Sequence, residues 1–199
     1  MTNKELEEFN KHRKIWQICA VTNDLERTMQ QWVDKLKIGP WKVRSFNSEN
    51  MDYEYVGDRM LDKEKEPWEF RIGITMVGDF EIEIIQPVKG PTIFQDWLDR
   101  HGEGIHHFKE KIADEKELQK TVEEWTANGV PALEGGKFFS DIHHYMDAEK
   151  YIGCIYELGN CPFIEVPEGM TRIFPYEDEA RLEYPEKDKF QPAESYKKL

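Results

Sequence analysis

Six polar residues stand inside stretches that otherwise read as apolar β-strands. They are Gln17 in KIWQICAVT, Glu81 and Glu83 in FEIEIIQP, His106 and His107 in GIHHFKEKI, and Glu157 in YIGCIYELG. A carboxylate inside a sheet is costly unless it is paired, hydrogen-bonded or bound to a cation, and a metal ion is one way to satisfy Glu83 and Glu157. Residues two apart on a strand share a face, so Glu81 with Glu83 fits an antiparallel strand with one solvated side equally well. Gln17 taken alone fits a strand glutamine bonded to a neighbouring backbone group. The chemical reading therefore depends on whether these strands meet.

The surrounding elements say that they do. KIWQICAVT is β-branched and apolar, as a buried strand is. The stretch NDLERTMQQWVDKLKIGP that follows predicts a helix: Asn23 with Glu26 has capping-box spacing, Leu25, Met29, Trp32, Val33 and Leu36 form one stripe, and Gly39-Pro40 stops it. Extended stretches come next: WKVRSF, a polar span over 47–67, EFRIGITMV and FEIEIIQP, the last two joined by a Gly78-Asp79 turn. The order then repeats. GIHHFKEKI predicts a strand and ADEKELQKTVEEWTANGVP a helix capped by Asp114 with Glu117, carrying Leu118, Val122 and Trp125 and closed by Asn128-Gly129; ALEGGKFF, IHHYMD and YIGCIYELG are extended. The predicted class is α+β, built from paired βαβββ modules. The divisions are a helical arm over 1–13, modules over 14–90 and 104–160, a linker helix over 91–103, and an extension over 161–199, of which MTRIFPY packs onto the body and EYPEKDKFQPAESYKKL is extended or loosely ordered. In such a unit the first and last strands lie side by side, which aims their inward polar residues into one cleft.

Composition narrows the function. Forty acidic residues against 27 basic ones give a net charge of -13, and no Lys/Arg block interrupts that field, so nucleic acid is excluded as a partner. No apolar run approaches the roughly 20 residues of a membrane span, and MTNKELEEFNKHRK has no apolar signal-peptide core. The expectation is a cytoplasmic protein without a membrane partner. Cys19, Cys154 and Cys161 are odd in number and lack C-x-x-C spacing, and read as buried thiols. The amphipathic pattern NKELEEFNKHRK fits either a homodimer arm or a solvated charged helix.

The stretch FEIEIIQPVKGPTIFQDWLDRHGEGIHHFKEKI resembles the junction of methylmalonyl-CoA epimerases. These belong to the vicinal oxygen chelate superfamily, with glyoxalase I, extradiol dioxygenases and bleomycin-resistance proteins, and carry an E-L-L-x-P strand, a linker helix and a G-x-H-H-I strand. The resemblance covers residues 14 to about 160 and implies one curved mixed sheet around a metal cleft. It implies four ligands by position: Gln17, Glu83, His107 and Glu157. His106 then points to the other face by strand alternation and is a structural or supporting group. The family mostly has His where Gln17 stands; a Gln, Glu, His, Glu set is similar to that of some glyoxalase I lineages, and it departs from the two-His, one-carboxylate iron site of extradiol dioxygenases. The implied cofactor is a divalent metal ion, with Co²⁺, Mn²⁺, Ni²⁺, Zn²⁺ and Mg²⁺ all open.

The implied activity is that of an epimerase, racemase or isomerase, moving a proton on a carbon beside a carbonyl through a metal-stabilised enediolate. Glu157 is implied as one base, and a glutamate before the third strand as the other; Glu66 fits that place best, with Glu64 and Glu69 as rivals. The small-molecule substrate is an acyl-CoA or a bulky aromatic ketone. Trp41, Tyr53, Tyr55, Trp68, Phe70, Phe138, Phe139 and Tyr145 favour the ketone, and the acidic chain disfavours CoA. A glyoxalase-I-like lyase acting on a thiol hemithioacetal, and a metal-free binding or resistance protein of the same fold, are the alternatives.

Overall fold

The computed structural model describes residues 1–167 and 169–175, together with the backbone of 190–191. Helix α1 (Asn3–Asn10) leads into a first half made of β1 (Ile15–Val21), α2 (Leu25–Leu36), β2 (Trp41–Asn47), β3 (Tyr53–Val56), β4 (Arg59–Met60), β5 (Glu69–Val77) and β6 (Phe80–Lys89). Helix α3 (Ile93–His101) connects it to β7 (Gly104–Lys111), α4 (Glu115–Ala127), β8 (Ala132–Phe138), β9 (Asp141–Met146), α5 (Glu149–Ile152) and β10 (Ile155–Gly159). Two short strands, β11 (Thr171–Phe174) and β12 (Phe190–Gln191), complete the described chain.

Capping chemistry fixes the helix starts. Asp114 accepts the Glu117 N–H at 2.9 Å, at the position read from the sequence. The cap of α2 is Asp24, which accepts the Arg27 N–H at 3.0 Å, and not Asn23. The Asn23 N–H is already bound by Glu103, at 2.9 Å, so the helix opens one residue later.

The described strands form one mixed sheet in the order β12-β11-β2-β5-β6-β1-β7-β10-β9-β8-β3-β4. Each half has its first and last strands adjacent and parallel, β1 with β6 and β7 with β10. The two first strands, β1 and β7, pair antiparallel and join the halves. The polar span over 47–67 does something its composition did not announce. It carries the β3–β4 hairpin to the far edge of the second half, where β3 pairs with β8. The sheet is therefore bent far enough for Phe46 of β2 and Phe138 of β8 to meet with ring centroids 5.0 Å apart. MTRIFPY forms β11 on the edge of β2. Of EYPEKDKFQPAESYKKL, only the β12 backbone lies within the described residues.

Strand alternation separates packing from chemistry. Leu25 and Met29 of α2 pack against Val43 and Ile84, while Leu118 and Val122 of α4 pack against Met146 and Leu158. Ile84 and Leu158 point to the helices. Their neighbours Glu83 and Glu157 consequently point to the other face. Helix α3 closes one end of that inner face with Phe94, Trp97 and Leu98.

Candidate metal centre and active site

The register lays the polar residues out as two rows on the inner face. Across β6, β1, β7 and β10 one row reads Glu83, Cys19, His107, Ile155, and the next reads Glu81, Gln17, Lys109, Glu157. The four residues named as ligands are thus brought together from four strands. Nε2 of His107 stands 3.0 Å from Oε2 of Glu157 and 3.6 Å from Oε2 of Glu83. Gln17 Oε1, His107 Nε2 and Glu157 Oε2 are all buried without a hydrogen-bond partner. Buried polar atoms are nearly always satisfied; Gln17 Oε1 has no partner, and His107 Nε2 and Glu157 Oε2 approach each other without an aligned hydrogen bond, a set that fits a cation held in common.

The charges at this point are coupled. Burial opposes a proton on His107, yet Glu157 and Glu83 raise its pKa above the ordinary imidazole value. Burial also opposes charge on Glu157, but Lys109 and then His107 hold its carboxyl well below the usual range. Lys109 Nζ donates to Glu157 Oε1 at 2.7 Å. The stem of Lys109 passes Gly159, where a Cβ would lie 2.7 Å from the lysine Cε. Glu157 is therefore divided, one oxygen on the ammonium and the other turned toward His107. To hold a metal ion, His107 would have to give up the proton on Nε2.

His106 departs from strict alternation. The β1–β7 register shifts between Cys19 and Ala20, pairing Cys19 with His107 and Ala20 with Ile105, which leaves His106 as the extra residue of a bulge. Its Nδ1 comes within 2.8 Å of Nδ1 of His107, and its ring lies 5.2 Å from both Phe94 and Trp97. Burial, reinforced by His107, pushes the His106 pKa well down. A neutral His106 accepts the His107 Nδ1–H and leaves Nε2 facing the carboxylates, the arrangement that orients a ligating imidazole.

The cleft has a volume of about 310 Å³, and Phe46, Phe70, Phe138, Tyr145, Trp16 and Phe163 contribute to its lining. Of the aromatic residues read as rim, Phe70, Phe138 and Tyr145 are there; Trp41 and Trp68 are instead fully buried in the cores. Glu66 is not at the cleft. It sits in the loop after β4, where the Arg59 guanidinium binds it through both terminal nitrogens and lowers its pKa. Glu69 is engaged by Ser45 at 2.8 Å, and Glu64 is exposed. The loop is spent on the hairpin that reaches β8, so it does not fold over the centre. Glu81 does line the cleft, with its pKa raised to about 7 by burial and then by Glu83.

Residues 16–145 match the model of the glyoxalase/bleomycin resistance protein/dioxygenase superfamily. The chain belongs to that superfamily. No curated protein sequence matches it. Among solved structures of the superfamily's fold, a hypothetical protein of Bacillus halodurans is similar at 16% identity, covering 75% of this chain and 94% of that one with a TM-score of 0.51. The Streptomyces coelicolor methylmalonyl-CoA epimerase in complex with 2-nitronate-propionyl-CoA is also 16% identical, covering 77% and 98% with a TM-score of 0.51. At this identity the likeness is one of fold. No described helix is long and apolar enough to cross a membrane.

Against the superfamily pattern, two residues of the centre were missed in the sequence. Cys19 is two positions from Gln17 and Lys109 two from His107, so each shares its ligand's face; that spacing was the available signal. A second buried cluster was also missed. Glu54 of β3, Glu134 of β8 and His143 of β9 lie on the same inner face, with His143 Nε2 3.9 Å from Glu54 Oε2 and Nδ1 3.8 Å from Asp141 Oδ2. Burial works against charge on His143, but Asp141 and Glu54 raise its pKa to about 10. Glu134 accepts the Ile93 N–H at 2.9 Å, and burial and then the neighbouring Glu54 push its pKa well above the usual carboxylate range. Glu54 needs the space of Gly136, where a Cβ would fall 2.2 Å from its Oε2.

Proposed function

We propose that the protein is a divalent-metal-dependent isomerase that moves a proton on a carbon beside a carbonyl, as an epimerase or racemase does. The supporting observation is the convergence of Gln17, Glu83 and Glu157, which line an aromatic cleft, on the fully buried ring of His107. Held by these four side chains, a divalent cation supplies Lewis-acid polarisation of the substrate carbonyl.

The chain's own residues account for the remaining steps. Glu157 takes the proton through the lone pair of Oε2 that is not turned toward His107 and the cation site, Oε1 being held by Lys109. Its depressed pKa keeps it ionised at neutral pH but makes it a weak base, so the reaction depends on an acidified carbon. His106 fixes the His107 ring. Epimerisation also requires a proton returned to the opposite face, and we assign that task to Glu81. It sits on the first-half strand β6, across Gln17 and Lys109 from Glu157 in the same row, where Glu66 cannot reach. A cleft near 310 Å³ is at the small end of ligand pockets. It suits a compact aromatic or branched carbonyl compound, or the acyl end of a thioester with its CoA arm outside. The acidic chain favours the former.

The test is deuterium uptake from heavy water, followed by mass spectrometry, with chelator-stripped protein reloaded with Co²⁺, Mn²⁺, Ni²⁺, Zn²⁺ or Mg²⁺. Methylmalonyl-CoA, a chiral α-substituted aryl ketone, and methylglyoxal with glutathione serve as probes. Metal-dependent exchange at the carbon beside the carbonyl, lost in Glu157→Gln, is expected for the ketone or the thioester. Turnover confined to the glutathione adduct moves the assignment to a glyoxalase-type lyase. A protein that retains none of the five ions is a binding protein and not this enzyme.

A further inference from the structure

Cys19 occupies the floor between Glu83 and His107. It is fully buried and pairs in register with Glu83 on one side and His107 on the other. Its Sγ, a carboxylate oxygen of Glu83 and a ring nitrogen of His107 all lie within 4.8 Å of one another. Donor atoms on one tetrahedral ion, at bond lengths of roughly 2.0–2.3 Å, stand about 3.3–3.8 Å apart. These three therefore close onto a common ion with a small inward movement. The thiol donates at a long 3.4 Å to its neighbour's carbonyl on Ala20 and faces the Glu83 carboxylate, while His107 Nε2 stands 3.6 Å from the same carboxylate.

We propose that Cys19 is a direct thiolate ligand of the metal centre, joining Glu83 and His107. This rests on the metal-dependent reading above and deepens it by specifying the class of ion. On binding, the S–H bond is broken, the sulfur's electron pair forms the metal–sulfur bond, and the proton leaves to solvent. The added negative charge sits close to a cation, since Lys109 follows His107 by two residues on the same face and its ammonium reaches Glu157 at 2.7 Å. A site of one thiolate, one imidazole and carboxylates selects Zn²⁺ or Co²⁺ over the hard ions Mg²⁺ and Mn²⁺, which prefer oxygen. The all-oxygen-plus-imidazole set implied by resemblance makes no such selection.

Cobalt provides a readout independent of turnover. Wild-type protein, Cys19→Ser, Cys19→Ala and Cys161→Ser are each loaded with Co²⁺ and their absorption spectra recorded. Cys161 is the needed control because it lines the cleft. The expected result is a near-ultraviolet sulfur-to-cobalt charge-transfer band in wild type and Cys161→Ser that is lost in both Cys19 variants. The visible ligand-field bands persist in all four, showing that the variants fold and bind. Wild type should also keep its Co²⁺ spectrum in a large excess of Mg²⁺ and lose it to Zn²⁺. Ligand-field bands without a charge-transfer band overturn the proposal while leaving the metal-dependent function standing. A charge-transfer band that follows Cys161 and not Cys19 overturns it as well. If cobalt is not bound at all, this proposal and the metal-dependent function fall together.

Discussion

Two groups of buried carboxylates and histidines share the inner face of one sheet, Glu83, His107 and Glu157 in the middle and Glu54, Glu134, Asp141 and His143 toward the β8–β3 edge. Their compositions are nearly the same, yet their geometry differs. In the first, carboxylate oxygens from β10 and β6 approach one ring nitrogen of His107 on β7 to 3.0 and 3.6 Å. In the second, His143 lies at 3.8 and 3.9 Å between two carboxylates on opposite sides of its ring, and Glu134 is tied to the start of α3. One group is arranged around a point and the other is strung out as a chain. Clustering alone therefore does not make a site; convergence of lone pairs does.

The sharpest way to break this contrast is to neutralise one carboxylate in each group. Glu157→Gln is expected to lower metal-dependent exchange by roughly 10²–10⁴-fold, the usual contribution of a positioned base. Glu134→Gln keeps the acceptor for the Ile93 N–H and should leave exchange within about twofold of wild type, because Glu134 is engaged at the start of α3. A large loss in the second variant would place both groups in the chemistry.

Lys109 tests the division of Glu157. In Lys109→Met the ammonium that holds the Glu157 pKa down is gone. The acid limb of the rate profile should then move to higher pH, toward the ordinary carboxylate range. Gly159→Ala, which crowds the lysine stem, should shift it in the same direction by less. An unmoved limb in both would show that Lys109 does not govern Glu157.

His143 and His144 offer a smaller effect with opposite signs on adjacent residues. The pKa of His143 rises from 6.5 to about 10 on folding, so its stabilisation is complete below pH 6.5 and is lost as pH climbs to about 10. His144, which meets the Tyr55 hydroxyl at 2.7 Å, falls to about 4 through burial and the charge on His143. Its stabilisation is complete above pH 6.5 and is lost as pH drops to about 4. Chemical denaturation across pH should show the alkaline decline flattened in His143→Gln and the acid decline flattened in His144→Gln. The smallest effect belongs to Glu66→Gln, which loses an exposed ion pair with Arg59 and should leave both the denaturation midpoint and exchange unchanged, since exposed ion pairs contribute little.

Local chemistry written in the chain determined the elements. Alternating apolar residues gave the strands, the stripe and Asp114 gave α4, and the repeated order gave the paired modules; the cap of α2 slipped by one residue because a distant Glu103 took the Asn23 N–H. Gln17, Glu83, His107 and Glu157 were legible by their cost, since polar groups in apolar strands need a partner, and by resemblance. What needed the tertiary structure was register. A bulge opposite Cys19 turned His106 back toward His107, the β3–β4 hairpin crossed to β8 and carried Glu66 away from the cleft, and strand pairing set Cys19 and Lys109 beside Glu83, His107 and Glu157. A sequence shows which residues share a strand face, because side chains alternate along a backbone. Which strands lie side by side, and with what offset, depends on hydrogen bonds between residues far apart in the chain, and only the folded sheet fixes them.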